Sequence, residues 1–463
     1  MSELMNSKRS KEHASKRLTR WPCFAAAAAA CLALMIGIQA RSESGVLPNV
    51  NRRPFAHRGV AQAILHVVPI PEPGARSGLD AVAMVRPGEL WAVGAYQTAN
   101  SDLTLTMHLQ GGSRTVVRSP NPSPGWAHFF GVAGKGANDV WAVGTYAPSN
   151  AGWPDLPFRA LAEHWNGARW RVIPTPNLGA ADVLFAVAVV GPDNVWAVGG
   201  YYNFKISFEN LQCEHTAHTL VEHWNGRVWR VIASPDPGRG ASFAQPCGPS
   251  HPLTSVNVLS GVTALGPRNV WAVGHYWDGR ANRTLAVHWN GRRWTRVASP
   301  NSSAAENILY GVAAPAPRDI WAAGTYRPTP REPYRTLIEH WNGRAWRVIP
   351  SPSVPGQDSQ LYSIAARGRS VWAVGRHDGA GGGGLAERLD STRWVIVPSQ
   401  KAGDCACSNA LNGVAVGPDA VWTAGEFSGA AVHKSVVEIA RREPPRAMTR
   451  ALSVGDPDYP GRR

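Results

Sequence analysis

From about residue 64 to about residue 440, apolar and polar positions alternate in short blocks, each closed by Gly, Pro, Asn or Asp. Alternation over such short blocks predicts half-buried β-strands joined by tight turns. One block recurs: "LWAVGAY" at 90, "VWAVGTY" at 140, "VWAVGGY" at 195, "VWAVGHY" at 270, "IWAAGTY" at 320, "VWAVGRH" at 371 and "VWTAGEF" at 421. The spacings between its tryptophans are 50, 55, 75, 50, 51 and 50 residues, so the chain carries seven copies of one unit, with extensions around the third. A period near 50 points to propeller blades.

Four strands are predicted in each unit. In unit five they are "ILYGVAA" (308–314), then "IWAAGTY" after the turn "PAPRD", then "RTLIEHW" (335–341), then "RAWRVIPSP" after Asn342-Gly343. Asn-Gly between apolar strands predicts a two-residue type I′ hairpin, in which both central residues need positive φ. The closing prolines stop pairing and start the crossing to the next unit. Unit seven ends at "VVEIA" (436–440) with no fourth strand, while "LHVVPIPEPG" (65–74) matches "WRVIPTPNLG" (170–179) position for position. The N-terminal segment is therefore expected to complete the last blade and close the ring, which removes exposed sheet edges. The expected fold is an all-β, seven-bladed β-propeller of four-stranded antiparallel blades over 64–442.

These units resemble kelch repeats, with an apolar strand ending in Gly, a short hairpin, a Trp three to five residues after the turn and a Pro after that strand. They differ from kelch in having a single glycine where the family has two. The resemblance implies the propeller architecture of the central domain of galactose-oxidase-like proteins, a class that includes both enzymes and binding proteins, so it speaks to fold more than to function.

Composition agrees with a folded chain, at 44% hydrophobic and 17% charged residues. Residues 1–40 are different. Lys8, Arg9, Lys11, Lys16, Arg17 and Arg20 precede the uncharged run "CFAAAAAACLALMIGIQA" (23–40). This is the pattern of an export signal, cleaved after Ala40 or retained as an anchor through residues 22–40. Residues 41–63 read as a linker and 443–463 as a disordered tail. The reading places the protein outside the cytoplasm, secreted or at the cell envelope. Without residues 1–40 the net charge of +15 becomes +11, nearly all of it arginine, which favours anionic partners. No nucleic-acid motif is present, no cofactor is expected, and a monomer is anticipated.

Sixteen of the 20 tryptophans occupy three repeat positions, which marks them as core. His108, His164, His223, His288 and His340 recur at one position, which becomes Arg388 and Ile439 in the last two units, and Glu163, Glu222, Glu339, Glu387 and Glu438 recur one residue earlier. Spread around a ring they cannot converge on one substrate, and they are expected to satisfy buried backbone groups.

The search for a site therefore moves to what does not repeat. Segments 201–219 and 235–255 enlarge two loops expected on one face, and they bring Tyr201, Tyr202, Phe204, Phe208 and Phe243, with the off-pattern Trp153 and Trp277 nearby. Such aromatics suit glycan or protein contact, or pack on one another. Cys213 and Cys247 fall in these insertions and read as a disulfide. The rival is a metal site of Cys213, His215, His218, Cys247 and His251. Cys405 and Cys407 form "CAC" in another loop on the same face. His275, Arg376 and Glu426 follow the glycine of the second strand, and with His377 they outline a polar cluster, Arg376 and Glu426 forming an ion pair. Two functions follow. One is a non-catalytic propeller binding a glycan, wall polymer or protein. The other is a kelch-type copper oxidoreductase using His275, Tyr276, His377 and a cysteine such as Cys405.

Overall fold

In the computed structural model, residues 64–99, 101–123, 125–148, 158–207, 212–238, 245–246, 257–378, 382–399, 408–428 and 433–441 are described. These residues are all-β. Units two, four, five and six are each one four-stranded antiparallel sheet; unit five, for instance, is Glu306–Ala316, Asp319–Arg327, Arg335–Trp341 and Trp346–Ile349. Unit three carries a fifth short strand, Gln245–Pro246, on its third. In unit seven, Ser408–Val416, Ala420–Ser428 and His433–Arg441 are completed by His66–Val68, with His66 opposite Ile439 and Val68 opposite Val437. A parallel pairing of Arg76 with His433 runs this sheet on into that of unit one. The first strands of successive units pack against one another, and that of unit seven packs against that of unit one.

The Asn-Gly turns differ from expectation. Trp341 pairs with Trp346, so the loop has four residues, and only the glycine (Gly343, φ 92) has positive φ. The Asn342 side-chain oxygen accepts from the backbone N–H of Arg344 and Ala345, at 3.0 and 3.1 Å. This Asx-type bond closes the loop without forcing asparagine into the left-handed region. The two-residue turn appears in unit one, where Gly111 and Gly112 have φ of 58 and 87.

Tryptophans clamp neighbouring sheets together. Trp271 of unit four meets Trp341 and Trp346 of unit five at 5.1 and 5.7 Å. Trp91, Trp141 and Trp196 are covered in the same way by the pairs Trp165/Trp170, Trp224/Trp229 and Trp289/Trp294. Leu65 from the N-terminal strand shares a cluster with Trp372. Aromatic pairs of this kind contribute about 0.5–1.5 kcal/mol beyond the area they bury.

The repeated histidines do not bind backbone groups. Each stacks on the second-strand tryptophan of its own unit, as His340 does on Trp321 at 4.1 Å. Its Nε2 meets a side chain just before that tryptophan: Glu89, Asp139, Asn194, Asn269 or Asp319, at 2.8–3.0 Å. In units two and five the same carboxylate oxygen also accepts from the indole N–H.

The glutamates at the preceding position of the third strand, present also in units six and seven where Arg388 and Ile439 replace the histidine, reach across sheets instead. Glu163, Glu339 and Glu438 accept from the hydroxyls of Ser119, Ser299 and Ser399, which lie in the crossing segment from the preceding unit. All three are fully buried. Burial, only partly offset by the serine bond, pushes Glu163 and Glu339 up to about 8 and Glu438 to about 7. Glu222 and Glu387 are driven well above the ordinary range by burial.

Below the ordinary value of 4.5 these carboxyls are neutral in both the folded and unfolded chain. Between 4.5 and about 8 the unfolded chain ionises first, so the stability present at low pH declines as pH rises through that window. Thermal unfolding across this range should show the decline, and the double variant Glu163→Gln/Glu339→Gln should flatten it, with a higher Tm than the parent at its upper end. A slope unchanged by the double variant would mean that these groups do not cause it.

Candidate functional site

Every first strand carries a β-bulge at one shared register, and those of units one to five have a second irregularity beside the turn. Pairing with the second strand shifts between Leu79/Ala81, Phe129/Gly131, Leu184/Ala186, Leu259/Gly261, Leu309/Gly311, Leu361/Ser363 and Leu411/Gly413. The extra residues are Asp80, Phe130, Phe185, Ser260, Tyr310, Tyr362 and Asn412. A bulge re-aims the side chain it carries. The repeated glycine of the second strand makes room for it. A Cβ at Gly324 would run into the Ile308 carbonyl oxygen, and the same clash arises at Gly94, Gly144, Gly199, Gly274, Gly375 and Gly425. The "WAVG" glycine is thus the partner of the bulge.

Because the first strands pack cyclically, the bulge residues form a ring whose members bond to neighbouring units. Asp80 Oδ2 lies 2.7 Å from His128 Nε2, and Asn412 Nδ2 donates to the Leu79 carbonyl at 3.0 Å. The ring is unequal around its circumference. On one arc Phe130 packs on Phe185 at 5.4 Å and stacks on His128 at 4.6 Å. Trp126, which belongs to none of the repeat positions, continues this arc outward to Phe158. On the facing arc Tyr310 meets Tyr362 edge-on at 5.6 Å. Tyr362 Oη and Arg376 Nε both donate to Gln360 Oε1, at 2.8 and 3.3 Å, and Arg376 pairs with Asp378 at 3.4 Å.

Burial raises the hydroxyl pKa of Tyr362, with Asp378 and Glu426 adding to the shift and Arg376 opposing it. Burial does the same to Tyr310. Both phenols therefore stay neutral across the physiological range; Tyr362 donates to Gln360, while the Tyr310 hydroxyl meets no partner among the described residues. A tyrosine acting as a base or nucleophile needs the opposite shift.

The residues singled out from the sequence divide. Arg376 belongs to the tyrosine arc. Glu426 lies near it but bonds His433 at 3.0 Å rather than Arg376, so the expected Arg376–Glu426 ion pair is not formed. His377 Nδ1 meets Gln357 at 2.8 Å. Tyr202 is core, 1% exposed among Ala181, Val183, Phe185, Ala217 and Val258, and cannot meet a ligand there. His275 is also 1% exposed; burial holds its pKa down at about 4, and neither ring nitrogen meets a hydrogen-bonding group among the described residues. It is a neutral interior histidine. Trp277 is half-buried opposite Asn282.

Segment 201–219 proves to be a hairpin extension rather than a loop, since Asn194–Ser207 and Gln212–Trp224 stay paired out to Ser207 and Gln212. The second insertion joins it, with Gln245 opposite Cys213. Phe204 sits on this ribbon opposite His215. Tyr201 stacks on His218 at 4.9 Å, and His218 is engaged by Asp236 at 2.6 Å. Trp153, Phe208, Phe243, Cys247, His251, Cys405 and Cys407 lie outside the described residues.

The ring residues escaped notice because they sit inside a repeated strand. The signal was present: between a repeated Leu or Phe and a repeated small residue, one position reads Asp, Phe, Phe, Ser, Tyr, Tyr, Asn.

No family model matches the chain, and no curated protein matches it in sequence. Among solved structures it is similar to YCF48 bound to D1 peptide, at 12% identity and TM-score 0.46 over 83% of this chain and 96% of that one. It is also similar to the polysaccharide lyase Uly1, at 10% identity and TM-score 0.45 over 78% and 89%. Trypanosoma rangeli sialidase matches at 12% identity and TM-score 0.42 over 82% of this chain, which spans 57% of that enzyme. These neighbours are β-propellers, and the likeness concerns fold alone.

The bulge geometry yields a stability test. Gly324→Ala should cost roughly 1–3 kcal/mol in chemical denaturation, the range of overpacking changes. Gly136→Ala, whose Cβ would meet nothing within 4 Å, should stay within about 0.5 kcal/mol of the parent. Equal costs would remove the clash as the reason for the glycine.

Proposed function

We propose that the chain is an exported, kelch-like seven-bladed propeller that binds a glycan, a wall polymer or a protein without transforming it. The binding region is the ring of bulge residues and the face above it, where the second strands end. The seven-blade count is supported by the cyclic packing of the first strands and by the N-terminal strand on unit seven. Export is proposed from residues 1–40, and a Cys213–Cys247 disulfide from the two insertions that pair near Cys213.

The observation that carries the reading is the division of the ring into an aromatic arc, in which half-buried Phe130 lies on buried Phe185, and a polar arc, in which half-buried Tyr362 and Arg376 rest on buried Gln360 and Tyr310. An aromatic platform facing a few fixed polar groups suits ligands with both apolar faces and hydroxyls, of which sugars are the leading case. Burial raises the pKa of both tyrosine hydroxyls, which disfavours a base or nucleophile role for them. The copper reading fares worse. His275 and Tyr276 are consecutive on one strand, so their side chains point to opposite sides. Tyr276 Oη instead accepts from Arg296 at 2.6 Å.

Screening the full chain on arrays of neutral and acidic oligosaccharides and of peptides should yield a ligand whose binding falls about tenfold or more in Phe130→Ala and in Arg376→Ala, as expected for anchor residues. Removal of residues 203–217 should weaken it less. A ligand unaffected by both point variants but lost on that deletion would move the site to the enlarged sector. Turnover of an array ligand would overturn the non-catalytic reading.

A further inference from the structure

The two faces of the protein treat arginine differently. On the face above the ring, Arg283, Arg335 and Arg376 pair with Asp278, Glu332 and Asp378, while Arg280 and Arg331 are exposed without a carboxylate partner among the described residues. The opposite face is formed by the turns between first and second and between third and fourth strands. There Arg227, Arg268, Arg292, Arg318, Arg344 and Arg369 are exposed, and none pairs with a carboxylate among the described residues. Arg86, paired with Glu89, is the exception on this face.

Two of these arginines, Arg268 and Arg318, are held in place by the turns. A Cβ at Gly291 would meet Arg268 Cγ at 2.6 Å, and one at Gly343 would meet Arg318 Cγ at 2.8 Å. The stems thus lie along the turn glycines of their own units, which leaves the guanidinium groups at the surface. Acidic groups offset part of this charge: Asp139 and Asp319, bonded by indole and imidazole N–H groups, and the exposed Asp193, Asp390 and Asp419 lie on the same face, where the arginines outnumber them. Half-buried Trp165, Trp224 and Trp289 stand among the arginines, their indoles donating to the Ala137, Pro192 and Pro267 carbonyls at 2.9–3.1 Å.

Both described chain ends also lie on this face. The strand His66–Val68 is antiparallel to His433–Arg441, and Leu65 covers Trp372 from the position that Trp346 holds over Trp271. The chain therefore enters at Ile64 on the arginine face and leaves it at Arg441. Upstream, residues 41–63 separate Ile64 from the apolar run 23–40.

We propose that the arginine face docks on the surface of an anionic lipid bilayer, with the ring face turned outward. Three features converge on this partner: unpaired arginines, tryptophans of the kind that settle at a lipid–water boundary, and a chain entry that continues to the apolar run. A linker of 23 residues can reach roughly 75–80 Å when extended, so the tether permits contact without imposing it. The arginines supply the attraction. The proposal rests on reading residues 1–40 as an export signal or anchor and is independent of the ligand site.

The full chain is mixed with vesicles of phosphatidylcholine alone or with phosphatidylglycerol added, both carrying lipids brominated near the headgroup. Quenching of tryptophan fluorescence is read; Trp21, beside the apolar run, gives a background common to both. Phosphatidylglycerol should increase quenching, and the sixfold variant Arg227→Gln, Arg268→Gln, Arg292→Gln, Arg318→Gln, Arg344→Gln, Arg369→Gln should reduce that increment about tenfold or more. Arg280→Gln/Arg331→Gln on the other face should retain it. Equal quenching on the two vesicles, or an increment untouched by the sixfold variant, overturns the proposal. So does displacement of the chain from vesicles by an equimolar soluble polyphosphate, which would assign the face to an anionic polymer.

Discussion

Close approach of backbone to backbone between successive first strands is the constraint on which the rest of the molecule depends. A Cβ at Gly261 would meet the Tyr310 carbonyl oxygen at 2.7 Å, and one at Gly413 would meet Ala81 Cα at 2.8 Å. Gly131 stands in the same relation to Phe185 and Ala186. Where strands converge this tightly, only very small residues fit. The residue before each small one is bulged, and so carries its side chain out of the regular alternation. One steric condition therefore produces both the cyclic packing and the ring of re-aimed side chains.

Away from the convergence the sheets diverge, and larger contacts fill the widening gap. Tryptophans from the third and fourth strands of one unit enclose the second-strand tryptophan of the preceding unit. Further in, a Ser–Glu hydrogen bond joins Ser119 to Glu163, Ser299 to Glu339 and Ser399 to Glu438. In unit one the corresponding residues are Ile70 and Met107, which share an apolar cluster. The exchange is physically sensible: burial disfavours ionisation of the glutamates, and the serine supplies the hydrogen bond that a buried carboxyl still needs, whereas Ile70 and Met107 need none.

These contacts leave the two ends of the strands free to differ. At one end, insertions, paired arginines and the ring residues create a varied surface suited to selecting a ligand. At the other, short repeated turns present unpaired arginines at regular intervals, which suits an extended anionic surface without particular shape. On the reading proposed above, repetition and its local breakdown would serve different kinds of recognition.

Much of this was legible in the sequence by itself. The alternation of "RTLIEHW", the punctuation by Asn-Gly and Pro, and the 50-residue period of tryptophan determined strand number and order within each unit. The match of "LHVVPIPEPG" to later fourth strands anticipated the pairing of His66–Val68 with His433–Arg441. Such features are local, or are comparisons of the chain with itself. Tertiary structure decided which residues meet. Tyr202 and His275 carry the chemistry of site residues, yet each lies inside the fold, whereas Tyr362, hidden in an apolar strand, is only half-buried in the ring beside the buried Tyr310. A bulge breaks the two-residue period by which a strand's faces are read, and it becomes visible only once the partner strand is in place. The glutamates show the same limit. Sequence spacing placed Glu163 on a strand, but its burial and its bond to Ser119 exist only because a second sheet closes over it.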